Sequence, residues 1–178
     1  MDKAAVSEKI VVDSKGIEEA LSRLAEAIFA SDAEPPLLVG IHRNGVPLAK
    51  RLALLVGDVS TRFPVGELDI TLYRDDLSSR PLPEVKGSHI PFDIAGRRVV
   101  LVDDVLYTGR TVRAALNVLA DFGRPRRVEL CVLVDRGGRE LPIQADHVGR
   151  RVECENGGRV AVNLTEGGAR TDSVVHVV

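Results

Sequence analysis

The chain has no tryptophan and only 3% aromatic residues, so it cannot build a broad platform of rings on which single-stranded bases would stack. Its two cysteines are Cys131, in the apolar "VELCVLVD", and Cys154, in the polar "VECENGG". Neither has a second Cys or His at metal-ligand spacing, which argues against a zinc site or a disulfide framework. No apolar run approaches 18 residues and no basic, apolar leader is visible, so the chain is expected to be neither secreted nor inserted in a membrane, but cytoplasmic. Excess charge is missing too. A formal net charge of -2 argues against a generic polyanion binder, although local arginine clusters stand at Arg97 and Arg98, at Arg124, Arg126 and Arg127, and at Arg150 and Arg151.

What is present is a core. At 178 residues and 44% hydrophobic content, residues 1–178 are expected to form a single domain. A short strand, "KIVV", precedes "GIEEALSRLAEAIFA", where Ile17, Leu21, Leu24 and Ile28 recur at helical spacing. "PPLLVGI" reads as a buried strand, "HRNG" as a turn, and "VPLAKRLALLV" as a helix with Leu48, Leu52 and Leu55 on one face. In "ELDITLYR", Leu68, Ile70 and Leu72 alternate with polar residues, which predicts a strand. Residues 74–93 hold three prolines and no periodicity, and a loop of that length is expected to be a functional lid or disordered.

Two further units follow. "RRVVLVDD" is a buried strand and "TVRAALNVLADFG" its helix, with Val112, Ala115, Leu116 and Leu119 on one face and Gly123 as the C-terminal cap. "RRVELCVLVD" is a third buried strand, and the remainder reads as short strands and Gly-rich turns without a helix. Apolar strands alternating with amphipathic helices predict an α/β fold, a mostly parallel sheet with helices on both faces, plus a small β-rich hood over about residues 135–178. Ligands of such sheets bind at the carboxyl ends of the strands. Three exits therefore converge: "HRNG", "DDVLYTGRT" and "DRGGREL".

The middle exit carries the chemistry. Amides of Tyr107 to Thr111 precede a helix start, where free N–H groups and the helix dipole attract an anion, and Thr108 and Thr111 add hydroxyl donors. Neither a Walker loop nor a GxGxxG dinucleotide fingerprint is present. Asp103 and Asp104 lie four to five residues upstream, where they can accept hydrogen bonds from vicinal sugar hydroxyls or hold Mg2+. Such a pair could alternatively cap a turn, which leaves the Thr-Gly-Arg-Thr turn unexplained. A phosphoacceptor receiver domain would need a late lysine, and none follows Lys86.

An apolar strand, two acids and a Thr-Gly turn resemble the phosphoribosyltransferase signature. More closely, "VGIHRNGVPLAKRLA", "VGELDITLYRDDLS", "VVLVDDVLYTGRTVRAALNVLADFGRPRR" and "VLVDRGGRELPIQADHVGRRV" resemble the PyrR family, pyrimidine attenuation regulators with uracil phosphoribosyltransferase activity. The match runs from about Ile17 to Val152.

The resemblance implies the conversion of uracil and 5-phosphoribosyl 1-diphosphate to UMP and diphosphate, with Mg2+ bound through the substrate diphosphate and by Asp103 or Asp104. On it, Asp103 and Asp104 bind the ribose hydroxyls and act in catalysis. Val102, Val105, Leu106, Tyr107, Thr108, Gly109, Arg110 and Thr111 form the substrate loop. Arg43, Asn44 and Gly45 face the diphosphate, Tyr73 and Arg74 begin the lid, and Asp135, Arg136 and Val160 form the hood over uracil.

The resemblance also implies nucleotide-responsive (UMP or UTP) binding to a pyrimidine-operon mRNA leader, with Ser22, Arg23, Arg139, Arg150 and Arg151 as contacts, and a homodimer or higher homo-oligomer. The chain departs from the family pattern at several points. Arg43-Asn44-Gly45, after His42, replaces Thr-Arg-Gly. Gly138 replaces a histidine, Glu26 replaces another, and Arg150, Arg151 and "ECE" replace a lysine and Pro-Thr-Ser. Tyr107 stands where purine-type relatives carry an acid. A transferase for another base, or one that has lost RNA binding, is the alternative.

Overall fold

A computed structural model describes residues 8–30, 34–56, 64–73, 87–154 and 158–177. Its centre is a five-stranded sheet of β2 (Leu37–Ile41), β3 (Val65–Leu68), β4 (Arg98–Leu106), β5 (Arg127–Asp135) and β6 (His147–Arg151), in the order β3-β2-β4-β5-β6. Every neighbouring pair is parallel. Alternation decides which side chain goes to which face. Val100, Val102, Cys131 and Leu133 meet α1 (Ser14–Phe29) and α2 (Gly45–Leu55), while Val99, Leu101, Leu130 and Val132 meet α3 (Arg110–Ala120). Helices cover both faces, as the alternating pattern predicts.

The hood differs from expectation at both ends. It is a three-stranded antiparallel sheet, β1-β8-β7, of β1 (Glu8–Val12), β7 (Arg159–Asn163) and β8 (Ser173–Val177). The first strand of the chain thus joins the last, a long-range pairing that leaves no local signal. β6, expected in the hood, instead extends the central sheet, because Asp146 exchanges two bonds with Leu130 and starts the strand beside β5. The C-terminal part is also not free of helix: Thr165–Gly167 makes one turn of 3-10 helix.

Local expectations shift for identifiable reasons. α1 begins two residues before Gly16, since the Asp13 side chain accepts from Gly16 N at 2.9 Å and caps the helix there. The strand expected over 67–74 stops at Leu68. Asp69 accepts from Thr71 N at 2.8 Å, an Asx turn that bends the chain into a 3-10 turn at Thr71–Tyr73 and leaves Leu72 exposed. Leu55 and Leu116 are exposed too, the buried stripes being Leu48, Ala49, Leu52 and Ala53 on α2 and Val112, Ala114, Ala115, Val118 and Leu119 on α3. Asp121 is the C-cap of α3, and Gly123 packs against Ile94 two residues beyond it.

Of the expected lid, Arg74 and the rest of residues 74–86 lie outside the described residues. Its last part is anchored: His89 and Glu67 exchange backbone bonds of 2.7 and 2.8 Å, and Ile90 and Phe92 pack on the α3-side core.

Candidate active site at the carboxyl ends of the strands

β4 runs buried to Asp103, then delivers Asp103 and Asp104 at its carboxyl-terminal end. Asp103 is 6% exposed and accepts from Asp104 N at 2.9 Å. Burial, with the neighbouring Asp104 charge, holds the Asp103 carboxyl well above the usual carboxylate range. Asp104 is half-buried; its Oδ1 accepts from Val105 N, and its Oδ2 accepts from Asn44 Nδ2 at 2.7 Å.

The loop after β2 comes to the same place because Gly45 has no side chain: a Cβ there would run into the Val102 carbonyl oxygen. This close approach sets the start of α2 against the end of β4. The His42–Arg43 peptide is cis. Arg43 is exposed, whereas His42 lies 3.3 Å from Glu67, which Lys50 also reaches at 2.8 Å. The Lys50 hydrogen bond lowers the Glu67 carboxyl.

Beyond the acids, Gly109 adopts φ 92 and is the N-cap of α3, so the turn carries its amides into the helix start. These groups surround one open cavity of about 1010 Å³, lined by His42, Arg43, Asn44, Asp103, Asp104, Val105 and Thr111. Reading the sequence missed a second set of lining residues: Lys50, Arg51, Glu67, Asp69, Thr71, Glu166 and Gly167. Their polar character gave no hint of proximity, which only the sheet order supplies.

Not every expected residue faces this cavity. Val102 and Leu106 are core side chains, each 1% exposed. Arg110 pairs outward with Glu140 at 2.7 Å, and Thr108 accepts from Arg110 N at 3.3 Å. Tyr107 turns toward the β5 exit, where the Arg136 guanidinium lies 3.7 Å above its ring. Arg136 also donates to Gly158 O at 2.7 Å, just before β7, and Val160 is buried in the core. Asp135, Arg136 and Val160 therefore do not line the cavity. Tyr73 donates to Asp121 at 2.7 Å, tying the end of the 3-10 turn to α3.

Arg139, expected at an RNA surface, is turned inward. It donates to Ile143 O at 2.9 Å and Tyr107 O at 3.0 Å, and pairs with Asp135 at 2.8 Å. Burial alone would raise Asp135, but the Arg139 hydrogen bond and the Gly137 amide outweigh it and lower the carboxyl. Arg139 is thus a brace beneath the substrate loop. Ser22, Arg23, Arg150 and Arg151 are exposed, and Arg23 on α1 donates to Gly149 O of β6 at 3.4 Å.

Comparisons with known proteins agree with this arrangement. Residues 7–161 match the phosphoribosyl transferase domain family. A bifunctional protein PyrR of Roseiflexus sp. (strain RS-1) is 53% identical over 173 residues, 95% of this chain and 94% of the relative. One from Bacillus mycoides (strain KBAB4) is 50% identical over 163 residues, 88% and 91% of the two chains. The fold is that of a Trypanosoma cruzi hypoxanthine phosphoribosyl transferase, with a TM-score of 0.71 at 18% identity, over 100% of this chain and 95% of that one. The chain belongs to the phosphoribosyl transferase domain family and, within it, to the bifunctional PyrR proteins.

Proposed function

We propose that this cavity converts uracil and 5-phosphoribosyl 1-diphosphate into UMP and diphosphate. The observation that carries the proposal is the acid pair at the end of β4 sharing one cavity with Arg43 and with Thr111 at the start of α3. Asp104 takes the ribose hydroxyls, with Asp103 buried behind it. Thr111 and the amides at the start of α3 take the 5-phosphate, and Arg43 and the start of α2 face the diphosphate. In the reaction the C1–O bond to diphosphate breaks as the bond from uracil N1 to C1 forms, and the N1 proton leaves. Positive charge builds on the ribose, which the Asp104 carboxylate offsets, and negative charge builds on the leaving diphosphate, which Arg43 offsets.

Among the described residues no group of three or more His, Cys, Asp or Glu could hold a metal by itself. The donor set at the cavity still fits Mg2+, which is commonly held by one or two carboxylates plus substrate phosphate oxygens. Asp103 or Asp104 would supply the protein's share. When bound, the ion would neutralise charge on the diphosphate.

The regulatory half of the proposal is binding to a pyrimidine-operon mRNA leader, responsive to UMP or UTP in this same cavity. Exposed Arg23 on α1 and Arg150 and Arg151 on β6, with Ser22, offer donors to phosphates. A homodimer would extend that surface. No described helix is long and apolar enough to cross a membrane.

The protein with uracil, 5-phosphoribosyl diphosphate and Mg2+ should release UMP, and Asp104→Asn should slow this by about a hundredfold or more. UMP should tighten filter binding of the leader, and Arg150→Ala with Arg151→Ala should weaken it while leaving UMP formation intact. Unchanged turnover in Asp104→Asn would overturn its assignment.

A further inference from the structure

The side chain of Asn44 is not used where an asparagine in its position is normally used. Asn44 is the N-cap residue of α2, a place where asparagine usually accepts from an amide of its own helix, yet it makes no such bond. Its own backbone is already helical, at φ -74 and ψ -23. The amide group instead points away from the helix and spends both of its protons elsewhere. Nδ2 donates to Asp104 Oδ2 at 2.7 Å and to Val162 O at 2.9 Å. One small group thus joins three elements: the start of α2, the end of β4 and the hood strand β7.

The consequences for Asp104 follow from its partners. Oδ1 is occupied by the amide of Val105, which fixes one edge of the carboxylate. Without Asn44 the carboxylate could still swing about its side-chain torsions, because that bond is local and belongs to the next residue. The bond to Asn44 sets the second oxygen. Asn44 in turn is held by a carbonyl within a paired strand, since Val162 sits in the β7–β8 ladder opposite Val174. The anchor is therefore rigid at both ends, and the Gly45 close approach brings the two loops near enough for the bond.

We infer that Asn44 is a positioning residue that orients Asp104 for the ribose hydroxyls, using the Val162 carbonyl of the hood as its fixed point. This deepens the proposed function and rests on its reading of Asp104. Asn44 is not a catalytic residue: it acts on the substrate through Asp104. A carboxylate held in place rewards a hydroxyl at one location, whereas a mobile one rewards it less, so the signature of Asn44 is discrimination between ribose and deoxyribose.

The test measures calorimetric binding of UMP, 2′-deoxy-UMP and 3′-deoxy-UMP to the whole protein, its Asp104→Asn variant, and two variants of Asn44. Asp104→Asn identifies which hydroxyl Asp104 reads, by loss of the preference against that deoxy nucleotide. Asn44→Ala, and the near-isosteric Asn44→Asp, which turns an oxygen toward both Asp104 and the Val162 carbonyl, should lose the same preference, from about tenfold to about twofold. Thermal melting confirms folding, and the isosteric variant preserves shape if the alanine variant does not fold. A purely structural role would lower the melting temperature of both variants and leave the ribose preference of the folded protein unchanged, which would overturn the inference. Collapse in Asp104→Asn with no change in either Asn44 variant would overturn it as well, while leaving the function intact. Indifference of the wild type to both hydroxyls would overturn the reading of Asp104, and this inference with it.

Discussion

Gly137 and Gly138 adopt consecutive left-handed conformations, φ 71 and 75, and the surroundings separate their roles. A Cβ on Gly137 would meet nothing within 4 Å, so only backbone conformation favours glycine there. A Cβ on Gly138 would lie 2.5 Å from Cε2 of Tyr107, the ring against which the Arg136 guanidinium lies. Gly137→Ala should thus cost about 1 kcal/mol, the penalty of a left-handed side chain, while Gly138→Ala should cost about 2–3 kcal/mol because the Tyr107 ring must also move. Urea unfolding of the two variants checks this, and equal losses would show that the ring yields freely. The contact also bears on the departure noted at this position. A histidine at 138 would displace Tyr107 from its present place, so the two residues are read together, which a sequence read position by position does not reveal.

Among the elements, β4 and β5 were the most legible, because a strand buried on both faces must be apolar nearly throughout, and "VVLVDD" and "ELCVLVD" are. The acid pair and the Thr-Gly turn were legible for the same reason: polar residues that interrupt such a run at its carboxyl end need a ligand-side explanation. β3 was misjudged because Asp69 ends it with a side-chain bond rather than a change of hydropathy, and the inward turn of Arg139 depends on carbonyls that no residue pattern marks. Two polar residues in the first halves of β4 and β5 were also not foreseen. Arg98 and Glu129, 7% and 3% exposed, pair at 2.7 and 2.9 Å, with Arg98 donating to Ile28 O and His147 bonding Glu129 at 2.8 Å.

The Arg98 hydrogen bonds lower Glu129 to about 2, against the opposing effect of burial and with help from His147. A carboxylate depressed in the folded state stabilises the fold fully above its unfolded value, near 4.5, and the contribution is lost as pH falls toward 2. A displacement of this size is worth about 3 kcal/mol. Glu129→Gln, which removes the carboxylate that takes two hydrogen bonds from Arg98, should be less stable than the wild type by about that amount at pH 6. The gap should narrow to about 1 kcal/mol as both are taken to pH 2.5. Urea unfolding across this range measures it, and a gap independent of pH would remove Glu129 as its source.

At the scale of the molecule, the question is whether the hood and the central sheet behave as one body. Their apolar residues merge: Val160, Val162, Leu164 and Val174 belong to the same core cluster as Ile17, Leu24, Leu48 and Leu52. Polar ties reinforce this at Asn44 to Val162 and at Arg136 to Gly158. The most extensive tie is Arg51 on α2, which pairs with Asp172 and with Glu166, and whose Nη2 lies 3.2 Å from the Thr165 hydroxyl. Hydrogen bonds to Arg51 come first among the causes that lower both Glu166 and Asp172. We expect the described residues to unfold as a single cooperative unit, since the hood has no core of its own: its apolar residues lie in the cluster that α1 and α2 form with the central sheet. Arg51→Ala would leave the buried Asp172 with the Thr165 amide and no cation, at a cost of about 2–3 kcal/mol. If the two sheets share one core, that loss shifts the urea midpoint without splitting the transition, and amide exchange quickens in β4 and β5 as much as in β7 and β8. Faster exchange confined to β1, β7 and β8, or a second transition, would instead make the hood a separate unit hinged on α2, with Arg51 as the clasp that holds it shut.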